Sequence, residues 1–280
     1  MYAEDPLSDE LTGSSLPEPP TPPGGAVRFT LLGPLEIRRN GVDHAPTTPK
    51  VLQLLGMLVR RPGRVVHIDS IVRELWADNP PRSVRTTMHT YVYQLRRCIE
   101  ENQLAPFGEP MLVTKAPGYV LRISPEQVDV FEFQALQRRG RELLDHGRFA
   151  EAARCFRAAL DLWSGSPLGN VQCGQVLSAY VLELTEERRS TLHLRIEAEI
   201  GAGAHHELIG ELRSLISRNP MDEALHSQLM RVLGRSGRRS DALAAYRQLR
   251  ARLNGELGVE PCDELQVLHR NLLCEGDRAA

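Results

Sequence analysis

Residues 27–43 alternate between apolar and polar side chains, and this alternation predicts short β-strands. Phe29 lies before a turn signal at Gly33-Pro34, and Ile37 lies after it. Asn40-Gly41 is typical of a tight hairpin turn because both residues tolerate a left-handed backbone. We therefore expect two or three short strands in this stretch.

Helical spacing of apolar residues replaces the alternation from Val51 onwards. This spacing predicts a first helix that ends at Pro62-Gly63, with Thr47 and Thr48 as candidate caps and Pro49 in its first turn. The second and third helices are predicted at His67 to Trp76 and at Ser83 to about Glu101, with Asp78-Asn79-Pro80-Pro81 breaking the chain between them.

Two short apolar runs follow the third helix. Met111 to Thr114 and Tyr119 to Ile123 are joined by Lys115-Ala116-Pro117-Gly118, and this pattern predicts a β-hairpin. Strands, three helices and a hairpin within about 97 residues are typical of a winged helix-turn-helix, a fold that binds DNA.

The rest of the chain has helical spacing and a weak internal repeat. The segment that begins at Gly147 matches the segment that begins at Gly237, ninety residues later, and Gly203 lies thirty-four residues before Gly237. Thirty-four residues is the period of the tetratricopeptide repeat, which stacks antiparallel helix pairs. A long helix from about Val176 to Ile200 makes the array irregular.

These patterns predict a mainly α chain with small β-sheets, in which a winged helix-turn-helix precedes an all-α, tetratricopeptide-like repeat domain. The expected parts are a disordered, acidic, proline-rich tail (1–26), the winged-helix domain (27–123), the helical domain (124–275) and a short tail (276–280).

The tail, the winged-helix domain and the helical domain also differ in net charge. The net charge of −2 combines −5 for residues 1–26, +6 for residues 27–123 and −3 for residues 124–280. A basic segment between two acidic ones is expected when one part of a protein contacts a polyanion. Arginine richness alone carries little weight, because only two of the 34 cationic residues are lysine and such an excess also reflects a GC-rich genome.

The third helix presents two different faces when it is placed on a helical wheel. Met88, Val92, Leu95 and Ile99 cluster with Val84 and Tyr91 on one side, which predicts a buried stripe. The candidate DNA-binding residues lie on the other side and at its margins, with a lysine at the hairpin tip: Arg82, Arg85, Thr86, Thr87, His89, Thr90, Tyr93, Gln94, Arg96, Arg97 and Lys115. Such donors suit base edges and phosphates in a major groove. The alternative is an ordinary solvated helix face.

Three arginines at the end of the first helix, Arg60, Arg61 and Arg64, allow two interpretations. They could contact phosphates, or they could complement the negative end of the helix dipole.

The sequence contains no recognisable motif of an enzyme active site or of a metal site. Neither Lys50 nor Lys115 follows a glycine as a phosphate-binding loop requires, and Gly201-Ala202-Gly203 lacks the third glycine of a dinucleotide site. His205 and His206 are adjacent and cannot share one face of a helix. We expect no catalytic residues, metal or cofactor.

The five cysteines are widely scattered and include no CxxC pair, so we expect them to be reduced and mostly buried. The acidic N-terminus does not resemble a secretory signal, and no run of about eighteen apolar residues suggests a membrane span. We expect a cytoplasmic protein without membrane contact.

Four segments together resemble the Streptomyces antibiotic regulatory protein (SARP) family. They are Arg28 to Leu35, Thr87 to Arg97, Lys115 to Tyr119 and Val128 to Phe133, in this order. Members of this family combine a winged helix similar to that of OmpR-type response regulators with a helical bacterial transcriptional activation domain. The chain looks like a short member, without a nucleotide-binding domain after the helical module and with a longer acidic leader than short members usually have.

The resemblance implies a transcriptional activator of a biosynthetic gene cluster, usually for an antibiotic or other secondary metabolite. It implies binding to direct repeats in promoter DNA and engagement of RNA polymerase holoenzyme. By the same resemblance the third helix is the recognition helix, Lys115 is the wing contact, and Trp76, Asp78 and Asn79 belong to a candidate polymerase-facing loop.

One reading helix covers about half a turn of DNA, so a second copy is expected about 10 to 11 base pairs away. This geometry predicts a homodimer on tandem repeats. The competing hypothesis is a tetratricopeptide-type interaction adaptor without specific DNA binding. A DNA affinity that falls steeply with salt would separate the two hypotheses. If six phosphates are neutralised, the slope of log affinity against log salt is about −5.

Overall fold

The first strands form a small antiparallel sheet at the start of the chain. A computed structural model describes residues 26–77, 79–105 and 108–274. β1 (Arg28–Thr30), β2 (Glu36–Arg39) and β3 (Val42–Asp43) pair in that order, as the alternating pattern predicts. Phe29 and Ile37 are partners in the β1–β2 register, and both are fully buried.

Three helices follow. They are α1 (Pro49–Val59), α2 (Ile68–Trp76) and α3 (Val84–Glu101). The second and third lie within one residue of the predicted boundaries, and the first ends at Val59, three residues before the predicted end at Pro62. Pro49 occupies the first turn of α1, where its missing N–H costs nothing. The capping expectation is wrong in one respect, since Thr48 precedes the helix but its side chain makes no capping hydrogen bond.

The hairpin forms a second sheet with one strand that the sequence does not predict. β4 (Val66–His67) pairs with β6 (Gly118–Leu121), which also pairs with β5 (Leu112–Lys115). β4 is only two residues long, too short to show alternation. A Cβ at Gly118 would overlap the carbonyl oxygen of Val66, so the close approach of these two strands requires glycine there.

A single turn of 3-10 helix (Pro125–Gln127) leads into seven α-helices within the described residues. They are α4 (Asp129–Asp145), α5 (Phe149–Asp161), α6 (Gln175–Gly201), α7 (His205–Arg218), α8 (Glu223–Arg235), α9 (Arg239–Leu257) and α10 (Asp263–Cys274).

The repeat marks one structural position. Gly147, Gly203 and Gly237 lie in the turns after α4, α6 and α8, with φ of 71°, 90° and 72°. A positive φ favours glycine, which explains why this residue recurs at equivalent turns. The described chain is therefore mainly helical, with a winged helix-turn-helix followed by stacked helix pairs. The long insertion helix is confirmed as α6.

Two large apolar cores lie along the molecule. The first contains the strands, α1 to α3, Phe133 of α4, and Leu177 and Leu184 of the first half of α6. The second contains Ile196 and Ile200 of the second half of α6 together with α7 to α10. The first core thus extends across the predicted boundary between residues 123 and 124, and α6 belongs to both cores.

Hydrogen bonds from side chains of the helical module to the backbone between β1 and β2 reinforce the contact between the two modules. The Asp129 carboxylate accepts hydrogen bonds from the backbone N–H groups of Leu31 (2.9 Å) and Leu32 (3.0 Å). The Asn170 amide accepts from the N–H of Leu35 at 2.7 Å and donates to its carbonyl at 3.1 Å, as a neighbouring strand would. The domain limits themselves stay a prediction, and the predicted tail residues 1–25 and 276–280 lie outside the described part of the chain.

Candidate DNA interface

The buried stripe of α3 packs as the helical wheel predicts. Met88, Val92, Leu95 and Ile99 are buried, each 3% exposed or less. Tyr91 is half-buried, and its ring stacks on that of Trp76 with centroids 6.0 Å apart. This packing determines which face of α3 points away from the core.

The predicted reading face is open to solvent. Tyr93, a large aromatic residue on this face, is 63% exposed. The exposed members of the predicted set are Arg82, Arg85, Thr86, His89, Thr90, Tyr93, Gln94, Arg97 and Lys115, and the half-buried members are Thr87 and Arg96. The face therefore offers guanidinium, imidazole, amide and hydroxyl groups on one side of a single helix.

The threonine hydroxyls bond to the preceding turn of the helix. Thr87 donates to the carbonyl of Ser83 at 3.2 Å, and Thr90 donates to the carbonyl of Thr86 at 3.1 Å. Both hydroxyl oxygens keep lone pairs that can accept from a base amino group.

Arg97 carries an ion pair that DNA could displace. Its Nε donates to Glu101 at 2.7 Å, and this hydrogen bond raises the pKa of Arg97. The two side chains are 63% and 59% exposed, and an ion pair so open to water contributes little stability. Exchange of Glu101 for a phosphate or a guanine edge therefore costs little.

Arg96 contacts the wing instead of facing solvent. Its Nε donates to the carbonyl of Leu112 at 3.1 Å and its Nη2 to the hydroxyl of Thr114 at 2.9 Å. Both partners belong to β5, so this side chain ties the C-terminal half of α3 to the hairpin. Its guanidinium is already engaged, which distinguishes it from Arg97.

The hairpin tip carries the remaining predicted cation. Lys115 pairs in register with Gly118 at the tip and is exposed. Within residues 26–77, 79–105 and 108–274, no carboxylate lies within 4 Å of the charged groups of Arg82, Arg85 or Lys115. Several arginines of the helical module form ion pairs, among them Arg157, Arg189, Arg195 and Arg250. The net charge of that module, −3 over residues 124–280, also contrasts with +6 over residues 27–123.

The arginines at the end of α1 separate into two groups. Arg60 is half-buried, with its guanidinium 5.9 Å from the centre of the Tyr180 ring, and burial lowers its pKa. Arg60 thus packs against α6, while Arg61 and Arg64 are exposed.

The candidate polymerase-facing loop is only partly open. Trp76 ends α2 and is half-buried against Tyr91, whereas Asn79 is exposed and donates its backbone N–H to the Trp76 carbonyl at 3.1 Å. Asp78 lies outside the described residues.

The prediction that most cysteines are buried is wrong. All five are free thiols, but Cys98, Cys155 and Cys173 are half-buried and Cys262 and Cys274 are exposed. Of these, Cys155 and Cys173 pack against the margins of apolar clusters. In the described part of the chain, no group of His, Cys, Asp and Glu side chains has the arrangement of a metal site.

Comparisons with known proteins agree with this architecture. The family model described as "Bacterial transcriptional activator domain" matches residues 128–273, and "Transcriptional regulatory protein, C terminal" matches residues 43–121. Regulatory protein DnrI of Streptomyces peucetius is 38% identical over 250 residues, which cover 88% of this chain and 92% of that protein. The chain belongs to the SARP family of transcriptional regulators.

Other SARP relatives differ in length. Regulatory protein AfsR of Streptomyces coelicolor is 32% identical over 250 residues, which cover 89% of this chain but only 24% of AfsR. A structure of Mycobacterium tuberculosis EmbR in complex with a low affinity phosphopeptide has a TM-score of 0.83 and 32% identity, covering 90% of this chain and 66% of that one. The shared part of these SARP regulators is therefore the winged helix together with the activator domain. No helix of the described residues has the length and apolar character needed to cross a membrane.

Proposed function

We propose that this SARP regulator activates a biosynthetic gene cluster by binding promoter DNA through α3. The main observation is the exposed, donor-rich face of α3 beside Lys115, on which Arg97 is paired with Glu101 while Arg82, Arg85 and Lys115 have no carboxylate within 4 Å among the described residues. The membership of the chain in a family of transcriptional regulators supports the same conclusion.

The exposed groups suggest a division of work. In a major groove, the hydroxyl of Thr90 and the amide of Gln94 can reach base edges, and Arg97 can do so after leaving Glu101. Arg82, two residues before α3, and Lys115 on the wing would contact phosphates on either side in this scheme. Arg96 holds the wing against α3 in this scheme and need not touch DNA.

Two copies on tandem repeats would provide the affinity that one helix lacks. A single reading helix discriminates over only a few base pairs, and repeats spaced by about one helical turn place two copies on the same side of the DNA. The helical module then remains available for RNA polymerase holoenzyme, together with the exposed part of the loop around Asn79. This mode of action requires neither a cofactor nor a catalytic residue.

Salt dependence of DNA binding tests this proposal. The described reading surface has three exposed candidates for phosphate contact, Arg82, Arg85 and Lys115, because Arg97 is assigned to a base edge and Arg96 and Arg60 are engaged inside the protein. Three neutralised phosphates per copy correspond to a slope of log affinity against log salt of about −2.7, and two copies to about −5. The measurement is fluorescence anisotropy with duplexes from the promoters beside its own gene.

Matched variants make the test specific. Lys115→Ala should make the slope shallower by about 0.9 per copy, because one phosphate contact is lost. Arg154→Ala, an exposed arginine of α5 in the helical module, serves as the control and should leave the slope unchanged. Binding to DNA that is absent, or insensitive to salt, would refute the proposal and favour an interaction adaptor.

A further inference from the structure

A carboxylate is buried where the helix-turn-helix meets the helical module. Glu74 lies in α2, directly before the turn that leads to the reading helix, and it is only 2% exposed. A buried carboxylate destabilises a fold unless hydrogen bonds replace its water. We therefore expect hydrogen-bond donors around the Glu74 carboxylate.

Four donors surround this carboxylate, and three of them belong to the start of α6. One oxygen accepts from the backbone N–H of Gly174 at 2.5 Å, and the other accepts from those of Val176 at 2.8 Å and Leu177 at 3.1 Å. The fourth donor is the Gln53 side chain of α1, at 3.0 Å. Glu74 thus caps α6 from a distant part of the chain, at the end where the helix dipole favours negative charge.

The backbone of α2 at Glu74 also lies close to the backbone at the start of α6. A Cβ on Gly174 would overlap the carbonyl oxygen of Glu74, and Gly174 itself offers no side chain to cap α6. Gln53 donates to that same carbonyl at 2.9 Å. Three helices, α1, α2 and α6, therefore meet at one carboxylate.

The helix capped by Glu74 links the two large cores. α6 has 27 residues, which correspond to about 40 Å at about 1.5 Å per residue. Its first half packs in the core of the winged domain through Leu177 and Leu184, and its second half packs with α7 to α10 through Ile196 and Ile200. A tilt of about 10° at its start would move its far end by about 7 Å.

We infer that Glu74 is a positioning residue that holds the distal helix pairs at one orientation relative to the reading helix. This inference rests on the proposed function for its consequence, because an activator must present its polymerase-contacting surface at a defined place beside the DNA. DNA bound by α3 then determines where α7 to α10 lie, through Glu74 and α6. No exposed residue of the reading face takes part in this contact.

A distance measurement tests the coupling without DNA. Spin labels are placed on introduced cysteines, Glu100→Cys on α3 and Val267→Cys on α10, both exposed positions, in a full chain whose native cysteines are replaced by serine. The labelled chain that keeps Glu74 should give one narrow distribution of the distance between the two labels. Glu74→Gln, which puts an N–H donor against backbone N–H groups, should broaden it or shift it by several ångströms, while Glu183→Gln on the exposed side of α6 should not.

Two further variants protect this test against simple misfolding. Glu74→Asp keeps the charge and should restore part of the narrow distribution, and Gly174→Ala should broaden it from the other side of the contact. A Glu74→Gln chain that melts at a lower temperature but keeps the wild-type distribution at 25 °C would overturn the inference, because the role would then be stability alone.

The functional consequence has its own measurement. At saturating protein on promoter DNA, Glu74→Gln should lower activated transcription by cognate polymerase holoenzyme at least tenfold, while DNA affinity stays within about twofold of wild type. Equal activation by the two proteins would contradict the proposed consequence of the coupling. Failure of the wild-type chain to bind DNA would instead refute the proposed function, and the distance measurement would still decide whether Glu74 orients α6.

Discussion

The buried carboxyl group of Asp129 should titrate about two pH units above an ordinary aspartate. Asp129 begins α4 and is 4% exposed, with its oxygens bonded to the backbone N–H groups of Leu31 and Leu32. Burial raises the pKa of Asp129 to about 6, although backbone hydrogen bonds from Leu32, Leu31 and Val130 and the charge of Arg28 oppose the rise.

The size of this shift determines its effect on stability. A rise from 3.8 to about 6 corresponds to about 3 kcal/mol at about 1.36 kcal/mol per unit. Because the folded pKa is above the unfolded one, the folded state holds the proton more tightly. The contribution of Asp129 to the free energy of unfolding should therefore fall as pH rises from about 4 to about 6, and stay level above that range.

The amide protons of Leu31 and Leu32 provide a direct assay. Their NMR shifts should move with a midpoint near pH 6, since their hydrogen-bond acceptor changes charge there. In Asp129→Asn the same amides should show no such inflection. The difference in unfolding free energy between the two proteins should change by about 3 kcal/mol over the same pH range. A midpoint below pH 5 would refute the reasoning, because hydrogen bonding would then outweigh burial.

Three substitutions test other parts of the structure. Arg97→Ala should cost about 1 to 3 kcal/mol on the specific DNA site if the side chain reads a base, and equal losses on specific and random DNA would place it on a phosphate instead. Arg96→Ala, which removes two hydrogen bonds to the wing, should speed hydrogen exchange of the β5 amides, and unchanged exchange would contradict its structural role. Gly140→Ala should destabilise the chain by about 1 to 3 kcal/mol, because its Cβ would lie 2.6 Å from the buried ring of Phe156. A raised melting temperature for that variant would show that helix propensity outweighs the clash.

The sequence by itself was sufficient for the four helices whose apolar spacing it showed, α1, α2, α3 and α6, and for the side of α3 that faces solvent. Apolar spacing located α3 and α6 because a helix long enough to show several turns of periodicity carries its own pattern. The same wheel separated the buried Met88 from the exposed Thr90, since both sides of a surface helix are recorded in its residues. The sequence did not predict β4, because a strand of two residues is too short to show an alternating pattern.

Only the tertiary structure decided what the polar groups contact. Arg96 and Arg97 are neighbours with the same chemistry, yet one binds the wing and the other binds Glu101, because the side on which β5 packs is absent from the local pattern. Glu74 and Gly174 are separated by one hundred residues, and Leu31 and Asp129 by 98. Periodicity reports on the residues within a few turns, whereas a hydrogen-bond partner so far along the chain is chosen when the modules pack together. For this reason the sequence determined the helices and the direction they face, and the assembled fold determined how the two modules are joined.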